Sequence, residues 1–361
     1  MQPNKKKRNP LVIAVIVLLA LALLLCGVVA GLWLNGRSSL AQSGEGPTLP
    51  PQQLQTGEQS SGDAAQTGAG AEEDGSFVEY NGLRYRYNES MVNILLMGVD
   101  SYHLPEESQG ERDQVDVFVL AALNMDEHKM TLISLPRDIM CDVEVRGEDG
   151  SQEGLMHMQL AMAYAYGDGQ HGSCELARDT VSNIFYGLPI QGYAAYYLSG
   201  IEELNDAVGG VTVKVIADVD FSEYDGCKDL VEGAEVTLNG KQARTYIQAR
   251  LKTQLDANDL RMSRQKQYML SLISRAKEMV LANPASVIDM YGAVEDYVLT
   301  DLGLGEIAYL ATKAANMDFS QDIHKVTGEL LYNAQDKFVE LYVDQQALYD
   351  LMLEVFYTPV D

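Results

Sequence analysis

Three apolar runs separated by polar connections lie close together between residues 93 and 138. They are rich in Val, Ile, Leu and Phe and are interrupted by polar turns, a pattern typical of buried strands. The pattern therefore predicts strands at Ile94–Val99, Val115–Leu123 and Met130–Leu135.

Charged residues mark the ends of these predicted strands. If Asn124–Lys129 forms the turn of an antiparallel hairpin, residues whose numbers sum to about 253 lie opposite each other. Asp116 then faces Arg137, next to Asp138, and Asp100 joins the same edge if its strand is suitably oriented. A structural Asp–Arg pair explains any two of them. The group as a whole favours a site for a charged ligand, such as phosphate with a divalent metal, because carboxylates and an arginine at a buried sheet edge are costly to desolvate without one.

Downstream, strand and helix patterns alternate, which indicates a mixed α/β or α-β-α architecture. Helical spacing predicts helices at His157–Tyr166, Cys174–Tyr186, Gly200–Val208, Leu238–Arg250, Leu260–Met279, Ala285–Val298, Leu304–Ala315 and Gln345–Val355. Further strands are predicted at Ile190–Tyr197, Val211–Val219, Ile323–Val326 and Phe338–Val343. Residues 141–154 are polar and predict a strand end followed by a loop.

Two of the predicted helices carry arginines at notable positions. Arg250 falls on the apolar stripe of its helix, so it either snorkels from the helix end or points into a cleft. Arg261, Arg264 and Gln265 lie on one side of the first turn of the next helix. Guanidinium groups at a helix N-terminus favour phosphate, although an ordinary charged face remains the alternative.

The composition limits the classes of function. The chain has 361 residues, of which 47% are hydrophobic and 22% charged, enough for one large or two ordinary domains plus extra segments. Its formal net charge of −26 and the lack of a long basic stripe disfavour nucleic-acid binding. Any bound anion must therefore be met by a local group of arginines.

The N-terminal segment predicts a membrane anchor. A basic cluster at residues 5–8 precedes an apolar run without charged side chains at Leu11–Leu34. Such a run can span a hydrocarbon core of about 30 Å, and the basic flank stays in the cytoplasm by the positive-inside rule. We therefore expect a single-pass anchor, with residues 1–10 cytoplasmic, residues 11–34 in the membrane and residues 35–361 outside. A cleaved signal peptide is the alternative, but its apolar region usually spans only about 7–15 residues.

The segment after the anchor is rich in Gly, Ser, Gln, Thr and Pro and cannot bury enough surface to fold, which predicts a flexible stalk over residues 35–78. Residues 79–361 contain no further linker and are interpreted as one extracytoplasmic domain. Among its cysteines, Cys141, Cys174 and Cys227 permit one disulfide with an odd thiol, and free buried cysteines are equally compatible. No Cys or His spacing supports a zinc site.

Taken in order, these motifs resemble those of the LytR-CpsA-Psr family of cell-wall enzymes. The resemblance includes the N-terminal anchor and covers roughly Tyr80–Asp361. The segments that carry it are NILLMGVDS, an Arg and an Asp before the second strand, TLISLPRD, AYAYGDG followed by SCELARDTVSNIFYGLPI, LNDAVGGVTVKV, LNGKQARTYIQAR and RMSRQKQYM. Their order over most of the chain is more specific than any single motif.

The resemblance implies a fold and an activity. The implied fold is an α-β-α layered mixed sheet with an N-terminal transmembrane helix, an apolar pocket for a lipid tail and an arginine-lined pocket for pyrophosphate, where Mg²⁺ binds. The implied activity is a phosphotransferase that moves an anionic glycopolymer from a polyprenyl-pyrophosphate carrier onto peptidoglycan. Such an enzyme would work at the outer face of the cytoplasmic membrane.

The family's site residues carry over by position. Asp100 and Asp116 match the metal-side carboxylates, and together with Arg137 they are the predicted catalytic residues. The pyrophosphate-binding residues match Arg112, Arg137, Arg250, Arg261 and Gln265. The family usually has two arginines separated by one residue where this chain has Gln248 and Arg250, so one guanidinium is missing. Whether Asp100 or Asp116 acts as a general base or only as a metal ligand remains open.

Two other functions compete with the transferase. A pyrophosphatase or phosphatase acting on the same lipid carrier would use water in place of the sugar acceptor. A noncatalytic envelope protein that binds or regulates is the third hypothesis, and the missing guanidinium at Gln248 makes it less remote.

Overall fold

The structure is a computed structural model. It describes residues 36–37, 40, 46–50, 77–101, 103–107, 113–147, 151–217, 219–249, 257–319, 323–335 and 338–360. The predicted anchor at Leu11–Leu34 and most of the predicted stalk lie outside these residues. Among the helices described, none is both long and apolar enough to cross a bilayer.

The described strands are β1 (Phe77–Tyr80), β2 (Leu83–Tyr87), β3 (Met91–Val99), β4 (Val115–Asn124), β5 (Lys129–Leu135), β6 (Met140–Arg146), β7 (Gln152–Gln159), β8 (Gly192–Tyr197), β9 (Val211–Lys214), β10 (Glu235–Leu238), β11 (Val298–Thr300), β12 (Asp318–Phe319), β13 (His324–Lys325), β14 (Gly328–Asn333), β15 (Phe338–Val343) and β16 (Tyr357–Val360). The helices of five residues or more are α1 (Ala161–Ala165), α2 (His171–Ile184), α3 (Ile201–Ala207), α4 (Gly240–Gln248), α5 (Ala257–Ala282), α6 (Ser286–Val294), α7 (Leu304–Ala315) and α8 (Gln345–Phe356).

A seven-stranded mixed sheet forms the centre of the fold. Its strand order is β11-β8-β3-β4-β5-β12, and β13 also pairs with β5. The pairs β3/β4 and β4/β5 are antiparallel, whereas β3 and β8 are parallel. The β4/β5 register runs from Phe118 opposite Leu135 to Asn124 opposite Lys129, which confirms the predicted hairpin and its register.

Alternation along the strands directs side chains to two covered faces of the sheet. One face carries Leu95, Phe118 and Ile133 and packs against α1, α2 and α8 in the largest core cluster. The other face carries Ile94 and Leu132, among others, and packs against side chains of α5 and α7. Helices therefore cover both sides, and the fold is the predicted α-β-α arrangement around a mixed sheet.

A second core cluster joins the β9/β10 hairpin to the helices that follow it. Val211 and Val213 of β9 pack with Tyr246 of α4 and Tyr268 of α5. Helix α4 begins at a capping box, in which the Asn239 side chain accepts a hydrogen bond from Gln242 N. This cluster fixes α4 and α5 relative to the hairpin.

The helix predicted at His157–Tyr166 is wrong in its first part. Residues up to Gln159 belong to β7, which pairs with β6 in an antiparallel hairpin, and α1 is only five residues long. The segment predicted as a strand end and loop therefore contains most of this hairpin. The apolar positions of this stretch fit a helical spacing as well as an alternating one, so the partner strand decided between the two.

Part of the predicted stalk contacts the domain. Thr48 N donates to Tyr186 O at 2.9 Å, and Tyr357 Oη donates to Pro47 O at 3.1 Å. Leu49 packs against the largest core cluster. Strand β1 begins at Phe77, two residues before the predicted start of the domain.

Candidate functional site

The candidate site lies where β3 ends and β4 begins. Asp100 follows β3 directly, and its backbone N–H donates to Gln114 O at 3.0 Å, so the two chains stay paired just beyond the strand. A β-bulge falls at this point, because Gly98 pairs with Val117 while Val99 pairs with Val115. Asp116 is the extra residue of the bulge.

The bulge explains how Asp116 reaches the site. Strict alternation from Phe118, which is buried in the core, would turn Asp116 toward the same face. The extra residue shifts the alternation, so that Val115 is buried instead and Asp116 is exposed. Bulges commonly re-aim a side chain in this way next to active sites.

Arg137 meets Asp116 across the β4/β5 pair. Its Nη1 donates to Asp116 Oδ1, and its Nε lies 3.9 Å from Asp138 Oδ1. The predicted register therefore brings the predicted pair together, although both residues lie just outside the regular β4/β5 ladder. The pair is partly exposed to solvent, so its charges are accessible to a ligand.

The electrostatics of Asp100 show which charges share the site. Loss of hydration raises the pKa of Asp100, and the negative charges of Asp116 and Asp113 raise it further. The positive charges of Arg137 and Arg261 act on the same pKa in the opposite direction. Burial likewise raises the pKa of Asp138. Side chains of the strand ends and of α5 thus meet in one electrostatic neighbourhood.

Arg261 lies in the second turn of α5 and not in its first. The helix begins at Ala257, three residues before the predicted start at Leu260, so the argument from a helix N-terminus is weaker than the sequence suggested. Its charge nevertheless reaches Asp100 across the site. Arg261 therefore lies near the sheet edge that carries Asp100, as the sequence predicts.

Two neighbours of Arg261 on α5, Arg264 and Gln265, contact the end of α4. Arg264 is fully buried and donates to the backbone oxygens of Tyr246 and Ala249. Gln265 Nε2 donates to Ile247 O at 3.2 Å. Arg264 therefore does not face a ligand, because its guanidinium binds the end of α4. The role of Gln265 in binding pyrophosphate stays a prediction.

The remaining predicted site residues are only partly described. Arg112 and Arg250 lie outside the described residues. Gln248, the last residue of α4, is described, and its Nε2 is shielded from solvent without a hydrogen-bond partner. Asp113 was not among the predicted site residues, and its Oδ2 is likewise buried without a hydrogen-bond partner. Its position next to Arg112, a predicted pyrophosphate-binding residue, was the only feature of the sequence that could have pointed to Asp113.

Asp100 and Asp116 are the candidate metal ligands. Within the described ranges, no group of three or more His, Cys, Asp or Glu side chains is arranged to hold a metal ion. Asp100 and Asp116 provide two carboxylates whose mutual repulsion contributes to the raised pKa of Asp100. Magnesium is often held by one or two carboxylates, with waters and substrate phosphates completing its shell. Two carboxylates are thus the type of ligand that Mg²⁺ uses when it binds together with a phosphate.

The three described cysteines are free. Cys141, Cys174 and Cys227 are each buried and form no disulfide. Of the two arrangements that the sequence left open, the structure has the free buried thiols. Burial raises the pKa of Cys141 and of Cys174 to about 12, so neither is a reactive thiolate at neutral pH.

Comparisons with known proteins agree on one family. The LytR_cpsA_psr family profile matches residues 54–353. A polyisoprenyl-teichoic acid–peptidoglycan teichoic acid transferase TagU of Enterococcus faecalis is 28% identical over 264 residues, which are 72% of this chain and 77% of that protein. The TagU of Bacillus subtilis is 25% identical over 269 residues, covering 73% and 76% of the two chains.

Solved structures share the fold. The crystal structure of B. subtilis TagV matches with a TM-score of 0.54 at 22% identity and covers 73% of this chain and 96% of that one. Protein gbs0355 from Streptococcus agalactiae matches with a TM-score of 0.58 at 23% identity, over 74% and 86% of the two chains. The family profile spans most of the chain and includes all the described site residues, so the chain belongs to the LytR-CpsA-Psr family.

Proposed function

We propose that this protein is a phosphotransferase that moves an anionic glycopolymer from a polyprenyl-pyrophosphate carrier onto peptidoglycan. The observation that carries the proposal is the meeting of Asp100, Asp116, Arg137 and Arg261 at one edge of the sheet, in a member of this family. Relatives named as teichoic acid transferases support the choice of polymer class and acceptor.

The arginines suit a pyrophosphate substrate. When an acceptor hydroxyl attacks the phosphorus that carries the polymer, the bond to the lipid phosphate breaks and negative charge grows on the leaving group. Guanidinium groups aimed at that charge stabilise the transition state with little proton chemistry from the protein. Arg137 and Arg261 fill this role from two sides of the site, and we propose Arg112, Arg250 and Gln265 as further contacts.

The carboxylates suit the metal and the acceptor. We propose that Asp100 and Asp116 hold Mg²⁺, which when bound neutralises part of the pyrophosphate charge. Burial and the neighbouring Asp116 charge raise the pKa of Asp100, and we propose Asp100 as the base that activates the acceptor hydroxyl.

An apolar surface beside the carboxylates suits the lipid. Leu96 of β3 and Val117 of β4 are 37% and 43% exposed, on the sheet face that α5 and α7 cover farther along. Gly98 pairs with Val117, so this uncovered part of the face adjoins Asp100 and Asp116. We propose that the polyprenyl chain lies along it. The proposed anchor would hold the site near the outer face of the membrane that contains the lipid.

The test follows both products of the reaction. The full-length chain, purified in detergent, is incubated with a polyprenyl-pyrophosphate-linked oligosaccharide and peptidoglycan fragments, with Mg²⁺ or with EDTA. We expect Mg²⁺-dependent transfer of the sugar phosphate to the fragments, with release of polyprenyl monophosphate in equal amount.

Other outcomes identify the competing functions. Release of lipid monophosphate without transfer to the fragments would contradict the transferase and indicate a phosphatase. Binding of the lipid donor without either product, in the presence of a competent acceptor, would indicate a noncatalytic protein.

A further inference from the structure

Arg264 is a charged side chain with no exposure to solvent. It is 0% exposed, and it is the largest of the fully buried side chains in the described part of the chain. A buried charge is costly unless hydrogen bonds and nearby dipoles compensate it. The burial of the Arg264 guanidinium must therefore be compensated by specific contacts.

The compensation comes from the end of α4. The Nη1 and Nη2 of Arg264 donate to the carbonyl oxygens of Tyr246 and Ala249. Gln265 Nε2 donates to Ile247 O. Carbonyls at a helix C-terminus lack partners within the helix and carry the negative end of its dipole. Helix α4 has no basic residue in its own last turn, so α5 supplies the cation.

Aromatic rings hold the guanidinium in place. Its carbon lies 5.5 Å from the ring centre of Phe221 and 5.6 Å from that of Tyr246. A planar guanidinium can stack on rings and reach two acceptors at once, whereas a lysine ammonium is a point charge. The Arg264 contact therefore fixes the orientation of the end of α4 relative to α5 as well as the distance between them.

This contact joins two parts of the candidate site. Arg264 lies one turn after Arg261, and the carbonyls that it binds flank Gln248. We propose that Arg264 is a positioning residue, which locks the end of α4 to α5 so that Gln248 and Arg261 keep a fixed separation. The inference rests on the proposed function, because it assumes that pyrophosphate binds between these segments.

A second arginine on the same helix provides a matched control. Arg275 of α5 donates from Nε to Val208 O at 3.0 Å, and Val208 is the C-cap of α3. It also lies 3.3 Å from Glu278. Arg275 thus also binds a carbonyl at a helix end, but from a partly exposed position away from the candidate site.

The experiment compares Arg264→Lys and Arg275→Lys in the full-length chain. Inorganic pyrophosphate with Mg²⁺ is titrated into each variant, and backbone hydrogen exchange is measured at residues 245–249 and 205–210. We expect Arg264→Lys to weaken pyrophosphate binding about tenfold or more and to speed exchange at the end of α4. Arg275→Lys should speed exchange only at the end of α3 and leave pyrophosphate binding unchanged.

Each outcome decides the inference. Unchanged exchange at the end of α4 in Arg264→Lys, or faster exchange with wild-type pyrophosphate affinity, would overturn it. If the wild-type chain binds no pyrophosphate, the proposed function fails, and the exchange data alone show whether Arg264 holds the end of α4. If Arg264→Lys does not fold, Phe221→Leu keeps the guanidinium but removes one ring, and it should shift both measurements in the same direction.

Discussion

At the scale of single residues, the candidate site depends on interactions among Asp100, Asp116 and Arg137. Each is an ordinary charged residue at the end of a strand. Asp116 becomes available because a bulge turns it out of the core, and Arg137 then binds it across the hairpin. The charge of Asp116 acts in turn on Asp100, whose pKa is already raised by burial. The properties of each residue therefore depend on the other two.

Arg137→Ala should separate function from stability. The Arg137 pair with Asp116 is partly exposed, and such pairs contribute about 0–1 kcal/mol to folding. Loss of a guanidinium that stabilises transition-state charge should lower turnover about 100- to 1,000-fold. Turnover of the lipid-linked donor and unfolding in urea measure the two effects.

The control is Lys241→Ala, which removes the cation of another exposed pair, 2.6 Å from Asp225. It should change neither turnover nor stability appreciably. Wild-type turnover in Arg137→Ala would exclude Arg137 from the site.

Asp100→Asn should change how stability depends on pH. The pKa of Asp100 is raised from its usual 3.8, so the folded chain keeps this proton to higher pH than the unfolded chain. The ionised carboxylate therefore destabilises the folded state above its raised pKa, and this penalty vanishes as pH falls below 3.8. Without Mg²⁺, the variant should have a higher Tm than wild type at pH 7, and the difference should shrink on acidification.

The substitution Asp225→Asn should change the stability at pH 7 in the opposite direction. Hydrogen bonding to Lys241 lowers the pKa of Asp225, so its ionised form stabilises the folded state above 3.8. Its removal should lower the Tm at pH 7 only slightly, because the pair with Lys241 is exposed, and the effect should be lost in acid. An Asp100→Asn variant that is less stable than wild type at pH 7 would show that the carboxylate is favourable there and contradict the assigned shift.

At the scale of elements, the site depends on how strand and helix ends are held. The bulge in β4 turns Asp116 toward the site, and α5 brings Arg261 to it. Helix α4 is only nine residues long, too short to be stable alone, so its caps and its contacts with α5 maintain it. Its N-terminal capping box and the side chains of α5 act at opposite ends of the same helix.

Asn239→Ala should weaken α4 from its first residue. The Asn239 side chain accepts from Gln242 N at 3.0 Å, and the Gln242 side chain accepts from Asn239 N at 3.1 Å. Loss of such a cap costs about 1 kcal/mol. Urea unfolding of the full-length chain should show this loss, whereas Asn239→Asp, which retains the acceptor, should remain close to wild type. Equal losses in both variants would mean that the cap is not the cause.

At the scale of the whole molecule, the central sheet presents two different surfaces next to each other. Its site edge is charged, while the adjoining part of one face is apolar and incompletely covered. The chain carries a formal net charge of −26, so a local group of arginines would have to attract the proposed anionic substrate against the overall charge. Both surfaces together match a lipid with a charged head.

Leu96→Gln should discriminate between the two parts of such a substrate. The Leu96 side chain is partly exposed, so the change should cost little stability, but it places an amide on the proposed path of the lipid. Binding of a polyprenyl pyrophosphate should weaken about tenfold, since an unpaired amide in an apolar site costs on the order of 1–3 kcal/mol. Binding of inorganic pyrophosphate should not change.

The control is Leu155→Gln, on β7, where the side chain is 65% exposed. It should leave the affinity for both ligands as in the wild type. An equal loss for both ligands in Leu96→Gln would place Leu96 outside the lipid path.

The sequence by itself determined the local elements and much of the site. The strand runs around Ile94–Leu135 and the β4/β5 register follow from apolar runs and a short turn, and both are interactions over a few residues. The Asp116–Arg137 contact followed from that register. Helices α7 and α8 were predicted to within one residue because their apolar spacing is regular and unambiguous.

The tertiary structure alone decided the features that depend on distant partners. The β7 strand required β6 as its neighbour, the bulge at Asp116 required β3, and the burial of Arg264 required the end of α4. The arrival of Arg261 beside Asp100 required the packing of α5 on the sheet. Each depends on the position of a segment far away in the chain, and local periodicity carries no information about that position.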